Sequence, residues 1–343
     1  MNTRILSILS ASTAAAALLV SVSATTADAF KPKKDIALIT HSSAGTGNSL
    51  LLRELARIWA KEKMLPKGIK AKARRVKGGG GKKARRYVAK KNKGNNHLLW
   101  SYTPTQMMRP IIRKSKLTHK NFTPVALIAF DPNTVVVNAK SPYHSMADLV
   151  NAAKKNPRKI KQGGGPFGSS SSIVGVQYKK QFGFKASYTP YKGGGEAVVQ
   201  LLGQHVDFIV ENPGEIREHI EAGTLRVLTT VSFKRIKVYP KVPTTKEAGY
   251  PIRVLISFRG IMQPPGVSKA ANKYYMGLLK RTQKTKGWKR YMRRNAITPV
   301  WIPGKKMSKW VSREAKERTA YLKGLGLLMS RKKLRKMFKK GKI

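Results

Sequence analysis

Glycines and hydroxyls gathered at three places carry what chemistry this sequence offers. The first is Ser43-Ala44-Gly45-Thr46-Gly47-Asn48. The apolar run Ile36-Ala37-Leu38-Ile39 precedes it. Leu51, Leu55 and Ile58 follow at i, i+4 and i+7, one face of a helix with Asn48 or Ser49 as its N-cap. A strand, a loop of small residues and a helix aim several backbone N–H groups and a helix N-terminus at one point, which favours an anion. We read the stretch as one wall of a carboxylate pocket. The second place is Gly78-Gly79-Gly80-Gly81, set between strand-like 69–76 and helix-like 82–91, a repeat of the first arrangement that makes a ligand-facing loop. The third is Gly163-Gly164-Gly165-Pro166-Phe167-Gly168, which runs into Ser169-Ser170-Ser171-Ser172 at the head of a helix. Four hydroxyls there can cap the helix, and they can also bond a carboxylate.

Other chemistries are poorly served. Gly163, Gly165 and Gly168 satisfy G-x-G-x-x-G, but a dinucleotide site also needs an acid about 20 residues on. No Asp or Glu lies between Asp148 and Glu196, and Pro166 interrupts the turn. The chain contains no H-E-x-x-H, no G-x-S-x-G and no G-x-x-x-x-G-K-[ST]. Its six histidines, His41, His97, His119, His144, His205 and His219, do not fall at metal-ligand spacings. Asp207, between Val206 and Phe208, reads as a structural acid. No catalytic residue, metal or cofactor is expected, and the chain is read as a binding protein, not an enzyme.

The elements that must position these loops follow from periodicity. Strand 97–102 carries Ser101 at its end and leads into Thr103-Pro104-Thr105. The runs 125–130 and 134–138, broken at Asp131-Pro132-Asn133, suit strands covered on both faces, as in a parallel sheet. A domain crossing belongs near here. A helix over 145–156 has Ser145 as its cap and ends before Pro157. Strands follow at 159–162, 186–189, 206–210 and 225–231, with helices after Gly193-Gly194-Gly195 and after Glu211-Asn212-Pro213. Residues 268–328 read as largely helical, with stops near Gly287 and Pro303-Gly304.

The chain of 343 residues, 41% hydrophobic, has room for two domains with cores of their own. Arg4, the apolar and small residues 5–22 and Ala27-Asp28-Ala29 have the form of an export signal over 1–29, with Phe30 first in the mature chain. The absence of cysteine excludes disulfides and thiol chemistry while remaining compatible with an oxidising compartment. Seventy Lys and Arg against fifteen Asp and Glu give a net charge of +55. A small soluble domain usually carries a magnitude of roughly 2 to 8. The excess raises a polyanion-binding alternative, nucleic acid or acidic lipid, but it is spread along the chain and the aromatics are not grouped for base stacking. Residues 329–343 form a basic tail, either an amphipathic helix with Leu334, Met337 and Phe338 on one side or a solvated end.

Ordered blocks over 31–328 carry a family resemblance. They include the glycine loops, Pro190-Tyr191-Lys192-Gly193 through Gln204-His205-Val206-Asp207, His219-Ile220-Glu221-Ala222-Gly223-Thr224-Leu225, Val242-Pro243-Thr244 with Glu247-Ala248-Gly249-Tyr250-Pro251, and Pro264-Pro265-Gly266. The sequence resembles the tripartite tricarboxylate transporter substrate-binding receptors, the Bug family. The resemblance implies an α/β, two-domain Venus-flytrap receptor of the periplasm, each domain a mostly parallel sheet flanked by helices. On this reading 30–128 plus 255–328 form one domain and 129–254 the other. A monomer would close on a small mono-, di- or tricarboxylate and deliver it to membrane transporter subunits. Carried over by position, the binding residues are Ser43, Thr46, Gly47 and Asn48, then Gly79, Gly80, Ser101 and Tyr102. From the second domain come Ser169, Ser170, Ser172, Gly194 and Glu211. Many members have Asp at the position of Asn48, so a plain carboxylate is implied here over an amine-bearing one.

Overall fold

The computed structural model describes residues 29–165 and 167–328, so the export-signal and basic-tail expectations lie outside the described residues. Eleven strands and ten α-helices are described, arranged as two sheets with helices on their faces. The chain begins with β1 (Ile36–Thr40), α1 (Gly47–Lys61) and β2 (Ala71–Arg75). It continues through α2 (Lys82–Arg86), which passes into a π-turn at Tyr87–Lys91, then β3 (Leu98–Tyr102), α3 (Pro104–Ile112) and β4 (Thr123–Asp131). The second sheet is built from β5 (Asn133–Asn138), α4 (Met146–Lys155), β6 (Lys161–Gly164), α5 (Ser170–Phe182), β7 (Ser187–Pro190) and α6 (Gly194–Leu202). It is completed by β8 (Phe208–Glu211), α7 (Pro213–Glu221) and β9 (Leu225–Val231). The chain then returns to the first sheet with β10 (Ser257–Gln263), α8 (Lys269–Thr282), α9 (Lys286–Arg294), β11 (Thr298–Pro303) and α10 (Gly304–Gly324).

The first sheet runs β11-β4-β10-β3-β1-β2 and the second β7-β6-β8-β5-β9. The α/β two-domain fold is as expected, but the sheets are mixed. β2, β1 and β3 are mutually parallel, as are β7, β6 and β8, while β10, β4 and β11 in one sheet and β5 and β9 in the other pair antiparallel. The apolar runs in β4 and β5 are indeed covered on both faces. That requirement comes from the flanking helices and does not specify strand direction. The sheet crossing falls at Pro132, between two buried acceptors, Asp131 and Asn133.

Each sheet has its own core. Ile36, Leu38, Leu51, Leu55 and Trp59 pack with Leu278 and Trp288 under one, and Val135, Val137, Leu149, Tyr178, Phe184 and Phe208 pack under the other. A further cluster joins the two bodies: Met108 and Ile112 of α3, Ile173 and Val176 of α5, and Leu322, Leu325 and Leu327 at the end of α10. Tyr321 Oη donates to Gln177 Oε1 over 2.6 Å beside it.

Three element boundaries differ from expectation. Helix α1 starts at Gly47 with Thr46 as N-cap and no side-chain cap bond, not at Asn48 or Ser49. The Thr46 hydroxyl instead donates to Ser43 O over 2.9 Å. Gly163 and Gly164 belong to β6, not to the loop after it. In the C-terminal segment β11 interrupts what read as helix, and Gly287 lies inside α9, whose cap is Thr285 accepting from Trp288 N over 3.1 Å. β11 holds Pro299 and Pro303, which an edge strand tolerates because an N–H on the open side needs no partner.

Candidate functional site

The loops after β1, β2, β3, β6, β7 and β8 meet at one cleft between the sheets, a cavity of about 870 Å³. These are the six strands of the two parallel sets, so their carboxyl ends face one another, the place where open α/β sheets collect ligands. The bodies touch at both ends of the cleft. Gly47 N–H donates to Glu215 Oε1 over 2.8 Å, and the Arg109 guanidinium donates to Phe167 O. A Cβ added to Gly193 would stand 3.1 Å from Ser43 Oγ, so the opposed loops approach closely there and a side chain would require Ser43 to give way by a few tenths of an ångström.

Of the residues named from the sequence, Ser43, Thr46, Asn48, Gly79, Gly80, Ser169, Ser170, Gly194 and Glu211 line the cleft. Gly47 does not line it; both its backbone groups are engaged, the N–H by Glu215 and the carbonyl by Arg259. Ser101 and Tyr102 are corrected as well. They remain inside β3, both buried, and Tyr102 packs against Trp100 and Phe258, while the loop that reaches the cleft starts one residue later at Thr103. Ser172 is placed behind the wall, its hydroxyl accepting from Gly168 N over 2.9 Å and donating to Ser169 O over 3.0 Å. Ser171, one of the four hydroxyls of the serine run but not among the residues carried over by resemblance, lines the cleft.

The serine run opens α5 as expected. Ser169 is its N-cap, accepting from Ser172 N over 3.4 Å, and its hydroxyl meets that of Ser171 at 2.8 Å. Ser171 Oγ also accepts from Gly165 N at 3.2 Å, and Tyr188 Oη closes the group by donating to Gly165 O. Burial pushes the Tyr188 hydroxyl up to about 12 while the serine hydroxyls oppose that shift, so it stays a neutral donor. The result is a rigid helix N-terminus with hydroxyls at the cleft, able to hold a carboxylate.

Charge is distributed unevenly around this centre. Under the four-glycine loop lie Arg85 and Arg109, 2% and 4% exposed. Burial and the charge of Arg113 lower both guanidiniums to about 10, and for Arg109 the charge of Arg85 adds to the effect. His41 faces the same pair, and burial together with Arg85 and Arg109 pushes it down to about 3. The glycines are required here: a Cβ on Gly80 would lie 2.1 Å from Arg109 Nε, and one on Gly81 would lie 2.1 Å from Gln106 Nε2. At the other end a Cβ on Gly194 would fall 2.5 Å from an oxygen of Glu211 and 2.5 Å from one of Glu215. Burial and then the charge of Glu215 raise the Glu211 carboxyl well above its ordinary range, and burial raises Glu215 to about 7. Behind them Asp131 is paired with Arg259, whose Nε donates over 2.8 Å. His41, Arg109 and Glu215 escaped the sequence reading. The available signal was Gln106 and Arg109 lying among Met107, Met108 and Ile112 in a helix directly after a cleft loop, polar groups where an apolar face was due.

Two α/β bodies with strand-end loops facing across a polar cleft define the class of solute-binding proteins. Residues 85–327 match the model of the tripartite tricarboxylate transporter family receptor, and the chain belongs to that family. It is similar to Protein BugT of Bordetella pertussis, 28% identical over 267 residues that cover 77% of this chain and 79% of that protein. Among solved structures it resembles R. palustris Rpa4515 with adipate (23% identity, TM-score 0.80, covering 86% of this chain and 98% of that one). It also resembles the periplasmic binding protein BugD (20% identity, TM-score 0.79, covering 86% and 99%). The likeness to these two is one of fold.

Proposed function

We propose that this chain is a periplasmic receptor that captures a small carboxylate between its two bodies and delivers it to membrane subunits of a tripartite tricarboxylate transporter. The observation that carries the reading is the convergence on one cleft of strand-end loops from both sheets, with the serine-capped N-terminus of α5 on its wall. The hydroxyls of Ser169 and Ser170 and the helix N-terminus take a ligand carboxylate. Ser43, Thr46 and Asn48 approach it from the opposite body. Asn48 brings no charge, and Glu211, holding its proton, donates a hydrogen bond to an anion instead of repelling it. Family membership supports this reading, as does the adipate held by one protein of like fold. The body built on the first sheet, 30–131 with 255–328, and the body built on the second, 133–254, close on the ligand after removal of 1–29 on export. Binding favours closure through the contacts made only when both bodies reach the ligand.

Isothermal calorimetry of the purified mature chain against mono-, di- and tricarboxylates tests the proposal. One-to-one binding by at least one acid is expected, with a decrease in radius of gyration by X-ray scattering. Folded protein that takes up none of them would overturn it.

A further inference from the structure

A second cavity, of about 470 Å³, shares no lining residue with the cleft. It forms a groove along residues 251–256, the segment that carries the chain from the second sheet back to the first. Phe233 and Lys246 reach it from the second body, and Glu314 and Glu317 of α10 reach it from the first. Its floor is apolar, with Pro251, Val254 and Leu255, and Phe233 is 75% exposed beside them. Among the described residues none of the N–H groups of 252–256 finds a backbone acceptor. A large apolar side chain left in water next to unpaired backbone donors marks a surface suited to a covering segment.

The end of α10 leads the chain toward this groove. Gly326 takes φ +73° and Leu327 N–H donates to Leu322 O over 2.9 Å, a Schellman turn that bends the chain out of the helix direction. Leu327 and Leu328 then pack into the cluster that holds Leu255 of the groove floor, and Arg253 at the rim stacks on Tyr321 of α10, 5.1 Å from its ring centroid. Glu317 lies two helical turns, roughly 10 Å, before the end of α10, and an extended chain from Leu328 to Leu334 reaches up to about 20 Å. Residues 329–343 carry eight Lys and Arg and no acid, with Leu334, Met337 and Phe338 at i, i+3 and i+4. A molecule of net charge +55 repels such a segment over most of its surface. The groove is different: Glu314 and Glu317 balance Lys246 and Arg253, and Glu317 is half-exposed, with Arg253 only at 3.4 Å. We propose that residues 329–343 seat in this groove of their own chain, with Leu334, Met337 and Phe338 against Phe233 and Val254 and the basic groups toward Glu314 and Glu317. Seated there, the tail touches both bodies and straps the segment that crosses between them.

Hydrogen–deuterium exchange on the purified mature chain, read by mass spectrometry, tests the proposal. Backbone N–H groups without an acceptor exchange fast unless something covers them. Residues 232–234 and 252–256 should therefore exchange on the order of tenfold faster when Leu334→Ser, Met337→Ser and Phe338→Ser are combined, a change that keeps the length and charge of the tail. Glu317→Lys should speed exchange in the same two stretches, and adding it to the triple substitution should change nothing further, because both act on one contact. Exchange in β4 and β5 should be the same in all four proteins, which reports that each is folded. Equal exchange of 232–234 and 252–256 in wild type and the triple variant would overturn the proposal. So would protection that disappears on roughly hundredfold dilution, since that would give the groove to the tail of a second copy.

Discussion

Glu215 is one of fifteen acids set against seventy basic residues, yet it faces other acids. Glu211 and Asp131 lie near it, and burial holds its carboxyl at about 7 against an ordinary 4.5. The folded protein therefore keeps a proton that the unfolded chain has lost between these two values, and stability contributed by that proton falls as pH rises through the window. His41 acts in the opposite sense. Its folded value near 3 means that the unfolded chain binds the extra proton below 6.5, so stability rises with pH there. A single melting curve against pH mixes the two, and a substitution separates them. Glu215→Gln retains an oxygen for Gly47 N–H and removes the titration. Its unfolding free energy relative to wild type, by denaturant titration, should increase from pH 5 to about pH 7 and level off above, with a slope of up to about 1.4 kcal/mol per pH unit for one proton. A constant difference across that range would mean that Glu215 is already ionised in the fold.

Helices α4 and α5 begin in the same way and differ in what lies in front of them. Ser145 caps α4 by accepting from Asp148 N over 3.1 Å, while Asp148 answers to the backbone of Ser145 over 2.9 Å, away from the cleft. Ser169 caps α5 at the cleft wall. Replacing either by Ala should cost about 1 kcal/mol of stability. Only Ser169→Ala should also weaken carboxylate binding, by roughly tenfold for one lost hydrogen bond to a charged group; equal affinities in the two variants would remove α5 from the site. The cap of α4 was legible because Ser145 stands directly before an apolar period, whereas for α5 four successive serines showed where the helix begins but not which of them caps it. The start of α1 was not legible, since Glu215 and Arg259 hold Gly47 from distant parts of the chain and take the place of a local cap. Strand direction was equally hidden: β4 and β5 are buried by helices on both faces, and that pattern is the same for either direction. The glycine loop read as a ligand wall proves also to be a cover, a role set by Arg109 some 30 residues later in the chain.

A charge of +55 acts on the molecule as a whole. The exposed ion pairs, such as Lys72 with Asp35 and Arg235 with Glu247, offset little of it. Strand β2 at the sheet edge exposes Lys72, Arg74 and Arg75, which guards that edge against pairing with another chain. The same charges repel one another in the compact state, and the unfolded chain relieves that repulsion by expanding. Salt shortens the reach of the repulsion, from about 30 Å at 0.01 M to about 8 Å at 0.15 M. The melting temperature of the ligand-free chain should therefore climb between these two sodium chloride concentrations. Stopped-flow association of a dicarboxylate should slow over the same range, because long-range attraction of the anion is screened too. Buried contacts are screened far less. The affinity lost to salt should consequently appear mainly in the association rate, with dissociation little changed; a salt effect confined to dissociation would place the relevant charges inside the cleft and not on the surface.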